Sequence, residues 1–227
     1  MIKLDDVVKQ YKVGDSFVSA SDHISFEIPD STFVSISGKS GSGKTTLLNL
    51  IGGKEIPDSG KILIDGVDIN RLSDREQSKF RNENIGYVFQ SFLLEPSMTA
   101  LENVELPLII RKYSKEKRRQ IAREMLEKVG LENRLFHKPS QMSGGEQQRV
   151  SIARALCTAP KILLADEPTG NLDEKTGESI INLMKELTKD RTLILVTHDE
   201  ELARSTPMQI ILVDGRIQTL IDERTLI

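Results

Sequence analysis

One stretch constrains this 227-residue chain more than any other: Gly38-Lys39-Ser40-Gly41-Ser42-Gly43-Lys44-Thr45, with Thr46 directly after it. It satisfies G-x-x-x-x-G-K-[ST]. The apolar run at 33–36 before it reads as a strand, and a helix is expected from 43 to about 51. Glycines at these spacings let backbone N–H groups turn inward around phosphate oxygens. The following helix points its positive end at the same charge. Lys44 has the reach for the outer phosphates of a nucleoside triphosphate, and the Thr45 hydroxyl is a Mg²⁺ ligand type. A flexible Gly/Ser turn with an exposed lysine would use the same letters but would not need a strand before it and a helix after it.

The second chemical signal is the run Ile162-Leu163-Leu164-Ala165-Asp166-Glu167. Four apolar residues in a row fit a strand buried on both faces. Two carboxylates then stand at its end. Alone they would pass for a polar strand terminus before Pro168. Beside a phosphate loop, Asp166 is the candidate metal carboxylate and Glu167 the candidate that polarises an attacking water.

The rest of the chain supplies a frame. Strands are expected at 2–8, 24–28, 61–64, 85–89, 192–196, 209–213 and 217–221, the last two joined by a hairpin at Asp214-Gly215. Helices are expected at 101–110, shortened or bent at Pro107, and at 115–129 and 174–188. The fold class is therefore α/β, with a mostly helical lobe at about 91–157 inserted in one domain spanning 1–227. Charges nearly balance, 31 Lys+Arg against 34 Asp+Glu. That disfavours a nucleic-acid partner, which would ask for excess positive charge. A lone Cys157 forbids an internal disulfide and suits a reducing cytosol. No leader opens the chain and no apolar run approaches 18 residues, so the protein is not expected to cross a membrane itself.

Ser143-Gly144-Gly145-Glu146 opens another expected helix as a capping box: Ser143 caps it and Glu146 reaches back. A plain cap would account for that much. Two glycines in a first turn cost stability unless something needs them, such as an approaching anion.

With these residues in view, Ser143-Gly144-Gly145-Glu146-Gln147-Gln148-Arg149 resembles the signature of ATP-binding cassette (ABC) proteins. Further motifs follow the same order. Gln90 resembles the Q-loop glutamine, Asn171-Leu172-Asp173 the D-loop and His198 the switch histidine, while Tyr11 resembles the aromatic that stacks on adenine. Read without the resemblance, Tyr11 is a half-buried strand-end tyrosine, Gln90 a polar strand terminus and Asp173 a helix cap. The runs 99–107, 137–139 and 166–173 (DEPTGNLD) are similar to the lipoprotein-release and macrolide-export branch, often called LolD/MacB-like. The cell-division branch shares part of that wording. The chain departs from the family at Met142, usually Leu, and at Glu146, often Gln; Ser31-Thr32 stands where Gly-Glu is usual, and 205–208 lacks a common basic residue.

The resemblance implies a phosphate-loop NTPase core of mixed sheet flanked by helices, a smaller antiparallel β subdomain and an inserted helical subdomain. It implies ATP and Mg²⁺, the latter held by Thr45, Gln90 and Asp166. It implies Glu167 as base, with His198 and Lys44 holding the γ-phosphate. The expected assembly is a head-to-tail, ATP-dependent homodimer in which residues 143–146 of one subunit cover the other's ATP. The expected partner is a separate membrane permease, with the subunit cytoplasmic and peripheral on the inner face. The implied function is powering of an exporter; the alternatives are a cell-division regulator acting through a membrane partner and a soluble ABC ATPase. Repair-type members would carry a long heptad insertion, which is absent between Thr45 and Ser143.

Overall fold

The computed structural model describes residues 1–223. The chain divides into two compact units: residues 1–81 together with 190 onward, and residues 82–189. In chain order the strands are β1 (Ile2–Val13), β2 (Ser16–Ile28), β3 (Phe33–Ser37), β4 (Ser59–Ile64), β5 (Val67–Asp68), β6 (Ile85–Phe89), β7 (Ile162–Asp166), β8 (Thr192–Val196), β9 (Met208–Val213) and β10 (Arg216–Asp222). The helices are α1 (Lys44–Ile51), α2 (Asp74–Asn84), α3 (Ala100–Ile110), α4 (Lys115–Lys128), α5 (Gly144–Leu156), α6 (Glu174–Leu187) and α7 (Glu200–Arg204).

The first unit holds two sheets. In one, β1 pairs antiparallel with β2 and with β4, and β4 with β5. Ile24, Phe26 and Ile28 of β2 are buried at every second position, the alternation of a strand with one face on a core. In the other, β3 runs parallel to β8 and to β9, and β9 turns back antiparallel into β10. β8 is buried along its whole length, as a strand covered on both faces must be. This is the expected combination of a mixed sheet with helices and a separate antiparallel sheet. Leu47, Leu48, Leu50 and Ile51 of α1 are buried, each contributing about 1.5–3 kcal/mol as an upper figure. That burial anchors α1, and with it the end of the loop before it.

In the second unit β6 and β7 pair in parallel, from Ile85 opposite Ile162 to Phe89 opposite Asp166. This register brings Gln90 and Glu167 out at the same end of the pair. Helices α3, α4 and α5 pack on one another within this unit. The helical stretch expected over about 91–157 lies inside the unit, which also takes in β6, β7 and α6. α3 begins on a complete capping box of Thr99 and Glu102 and continues through Pro107 to Ile110.

Candidate functional site

The loop between β3 and α1 is shaped by three glycines with positive φ: Gly38 at 146°, Gly41 at 80° and Gly43 at 98°. Two of them also stand where no side chain fits. A Cβ at Gly38 would lie 2.3 Å from the Leu212 carbonyl oxygen, and one at Gly43 would lie 2.0 Å from that of Ala20. Gly215 donates its N–H to the Ser42 carbonyl at 3.1 Å and accepts one from Asp22 at 2.8 Å. The phosphate loop is thus wedged between β2 and the β9–β10 turn.

Lys44 is largely buried and its Nζ donates to the carbonyls of Gly38 and Lys39, 2.9 Å each. The ammonium is therefore aimed across the mouth of the loop rather than into solvent. Lys39, Ser40, Gly41 and Thr45 are exposed. No side chain caps α1; Gly43 holds the cap position. A helix start left to glycine keeps its positive end accessible to an anion.

Tyr11 stands on β1 opposite Val18 of β2. Its hydroxyl donates to the Glu55 carboxylate and is in hydrogen-bond contact with Thr46. Burial, and then the Glu55 bond, pushes its phenol pKa up. The ring is 38% exposed, a surface available for stacking next to the residue that follows the loop. His198 follows β8 and is exposed; Asp199 beside it caps α7.

The second unit carries the other expected residues. Asp166 ends β7. Glu167 follows with φ at 45°, a left-handed conformation costly to a residue with a side chain. Turns then run from the Glu167 carbonyl, which accepts from Gly170 N–H, to that of Thr169, which accepts from Leu172 N–H. Gln90 is tied to this segment: its carbonyl accepts from Asn171 Nδ2 at 3.0 Å, and a Cβ at Gly170 would come within 2.6 Å of Gln90 Nε2.

The capping box at the start of α5 is complete. Glu146 N–H donates to Ser143 Oγ at 3.3 Å, and Ser143 N–H donates to Glu146 Oε2 at 2.8 Å. That backbone bond, and then Arg134, whose Nε lies 2.9 Å away, hold the Glu146 carboxyl below its ordinary pKa. The glycines of this turn have a packing reason besides openness. A Cβ at Gly145 would meet Thr176 of α6 at 2.7 Å, and one at Gly144 would meet Leu172 at 3.2 Å. Asp173 caps α6 by accepting from Thr176 N–H at 3.0 Å; the Thr176 hydroxyl, and then that N–H, lower its pKa. Cys157 is a buried core thiol whose pKa burial pushes up to about 12.

Tyr11, the loop 38–46 and His198 therefore lie in the first unit, and Gln90, residues 143–146, Asp166, Glu167 and Asp173 in the second. Gln148 was missed. Its amide donates to the carbonyls of Phe89 and Pro168. The signal was available: a glutamine three, four and seven positions before Ser151, Ile152 and Ala155 falls on the buried stripe of its helix.

The family model described as "ABC transporter" matches residues 21–170. The chain belongs to the ABC transporter family. It is an ATP-binding, ATP-hydrolysing subunit of that family. An uncharacterized ABC transporter ATP-binding protein of Thermotoga maritima is 48% identical over 219 residues, 96% of this chain and 94% of that one. The lipoprotein-releasing system ATP-binding protein LolD of Syntrophotalea carbinolica is 46% identical over 219 residues, 96% of each. Among solved structures, the ATP-binding cassette MJ0796, from Methanocaldococcus jannaschii, superposes with a TM-score of 0.90 at 48% identity over 98% of both chains. That structure is described as a dimeric post-hydrolysis state bound to ADP and Pi.

Proposed function

We propose that this ABC subunit binds ATP between two copies arranged head to tail and drives a separate membrane permease of the lipoprotein-release and macrolide-export type. The observation that carries the ATP site is the wedged loop 38–45, with Lys44 held across its mouth and an uncapped α1 behind it. The dimeric MJ0796 structures support the pairing, and the LolD relatives support the branch. Among the described residues no helix is long and apolar enough to cross a membrane, so the membrane-spanning part is assigned to the permease. Through it the subunit sits on the cytoplasmic face.

Lys44 and the loop amides hold the phosphates. Tyr11 stacks on adenine. Glu167 takes a proton from the water that attacks the γ-phosphorus in line, and ADP and inorganic phosphate are released. His198 contacts the γ-phosphate, and residues 143–146 of the second copy close over it. Thr45, Asp166 and Gln90 offer hard oxygen donors, few in number, which fits Mg²⁺ held partly by substrate phosphates and water. When bound there, Mg²⁺ would neutralise negative charge developing on the triphosphate.

The test is Glu167→Gln. Glutamine keeps the size but accepts no proton. ATP should bind as before, hydrolysis should fall about 10²–10⁴-fold, and an ATP-dependent dimer should accumulate on size-exclusion chromatography. Hydrolysis at the parent rate removes Glu167 as base. A variant that binds ATP, does not cleave it and stays monomeric removes the dimer for the isolated subunit.

A further inference from the structure

Gln148 lies fully buried on α5, the helix that opens with residues 143–146. Its Nε2 donates to two carbonyls that belong to different segments: that of Phe89 at 3.2 Å, and that of Pro168. Phe89 immediately precedes Gln90, and Pro168 immediately follows Glu167. Among the described residues the side-chain oxygen of Gln148 accepts no hydrogen bond, so the amide's hydrogen bonds there are the two to these carbonyls. An NH₂ group carries two protons and meets two acceptors, a match that neither a hydroxyl nor a carboxylate reproduces.

The two segments need such a tie. Glu167 sits in a left-handed conformation, which persists in a residue with a side chain when the surroundings impose it. On one side its own carbonyl accepts from Gly170 N–H at 3.1 Å. On the other, the next carbonyl along, that of Pro168, is held by Gln148. Asn171 completes the link by donating to the Gln90 carbonyl.

We infer that Gln148 is a positioning residue for hydrolysis, pinning the backbone beside Gln90 and beside Glu167 to the helix that carries the signature. A displacement of α5 is thereby transmitted to both catalytic segments through one amide. This rests on the proposed role of Glu167.

Two variants test it, each assayed well below its own melting temperature. Gln148→Met keeps the length and removes the donor. Steady-state hydrolysis should lose about tenfold in kcat, with the KM for ATP within about twofold, because the Pro168 carbonyl loses its bond from Gln148 and the Phe89 carbonyl is left with its bond from Phe92 N–H at 3.3 Å, while the phosphate loop is untouched. Gln148→Glu donates only when protonated, and burial raises a carboxyl pKa. Its kcat relative to the parent should therefore climb about tenfold between about pH 8 and about pH 6. A merely structural role would lower melting temperatures and leave that ratio flat.

Parent-like kcat in Gln148→Met, or a flat ratio for Gln148→Glu, overturns the inference. If Gln148→Met does not fold, the ratio alone decides. The two failures are separable: parent-like Gln148 variants leave the base assignment standing, whereas Glu167→Gln hydrolysing at the parent rate removes the base itself.

Discussion

Gly43→Ala should damage the protein before any nucleotide is added. The added Cβ would lie 2.0 Å from the Ala20 carbonyl oxygen and 3.1 Å from its carbon. Cβ atoms essentially never approach closer than 3.0 Å, so a backbone shift of about 1 Å or more is forced on β2 or on the loop. The φ of 98° adds a conformational cost of about 1–3 kcal/mol. Displacing packed backbone adds about 1–3 kcal/mol more. At about 2–4 °C per kcal/mol for a chain of this size, the melting temperature should fall by roughly 4–24 °C. Gly41→Ala is the internal control. Gly41 also has a positive φ, 80°, but among the described residues nothing lies within 4 Å of its would-be Cβ. It should lose about 1–2 kcal/mol, hence about 2–8 °C. Differential scanning calorimetry of parent and both variants without nucleotide isolates the Ala20 contact as the gap between the two glycines. Equal melting of Gly43→Ala and Gly41→Ala would refute the wedge.

Two further outcomes follow from the site. Tyr11→Ala should weaken ATP by about 1–2 kcal/mol, the scale of base–aromatic stacking, whereas Tyr11→Phe, losing only the bonds to Glu55 and Thr46, should stay close to the parent in isothermal calorimetry; unchanged affinity in Tyr11→Ala returns the residue to a structural role. Glu146 has a lowered pKa in the folded state, so the stability its charge contributes is present above the ordinary carboxylate range and is lost as pH falls through the folded value. The urea midpoint of the parent should therefore exceed that of Glu146→Gln at neutral pH and converge on it as pH falls below the ordinary carboxylate range; a gap independent of pH would contradict the Ser143 and Arg134 contacts as its source.

The sequence made the strands legible where burial is two-sided. The runs 33–36, 85–89, 162–165 and 192–196 all lie within observed strands, because a strand covered on both faces is mostly apolar, the buried Ser35 being satisfied by its hydrogen bond with Thr206. It was less legible where residues face solvent. β1 and β2 extend to Val13 and Ser16 around a two-residue turn, and α2 was not expected at all. Val13, Phe17 and Val18 at the hairpin end are exposed, and α2 buries no residue, so neither segment shows an apolar stripe. The capping box at Ser143 was readable because its rule is local. The contacts of Gly38 and Gly43 were not: their neighbours, Leu212 and Ala20, are brought close by tertiary packing alone, and phosphate binding had already supplied a sufficient reason for glycine.

The wedge that holds the phosphate loop also sets a clock on its assembly. Ser35, just before the loop, hydrogen-bonds Thr206 across 171 residues of sequence, and the Gly215 amide that braces Ser42 lies later still. A ribosome working at about 5–20 residues per second needs roughly 10–30 s to cover that interval. Throughout it the loop has been made but lacks one of its two walls. In a nascent chain the brace on Ser42 therefore forms last, after β9 and β10 have been made and their turn has come back to β2.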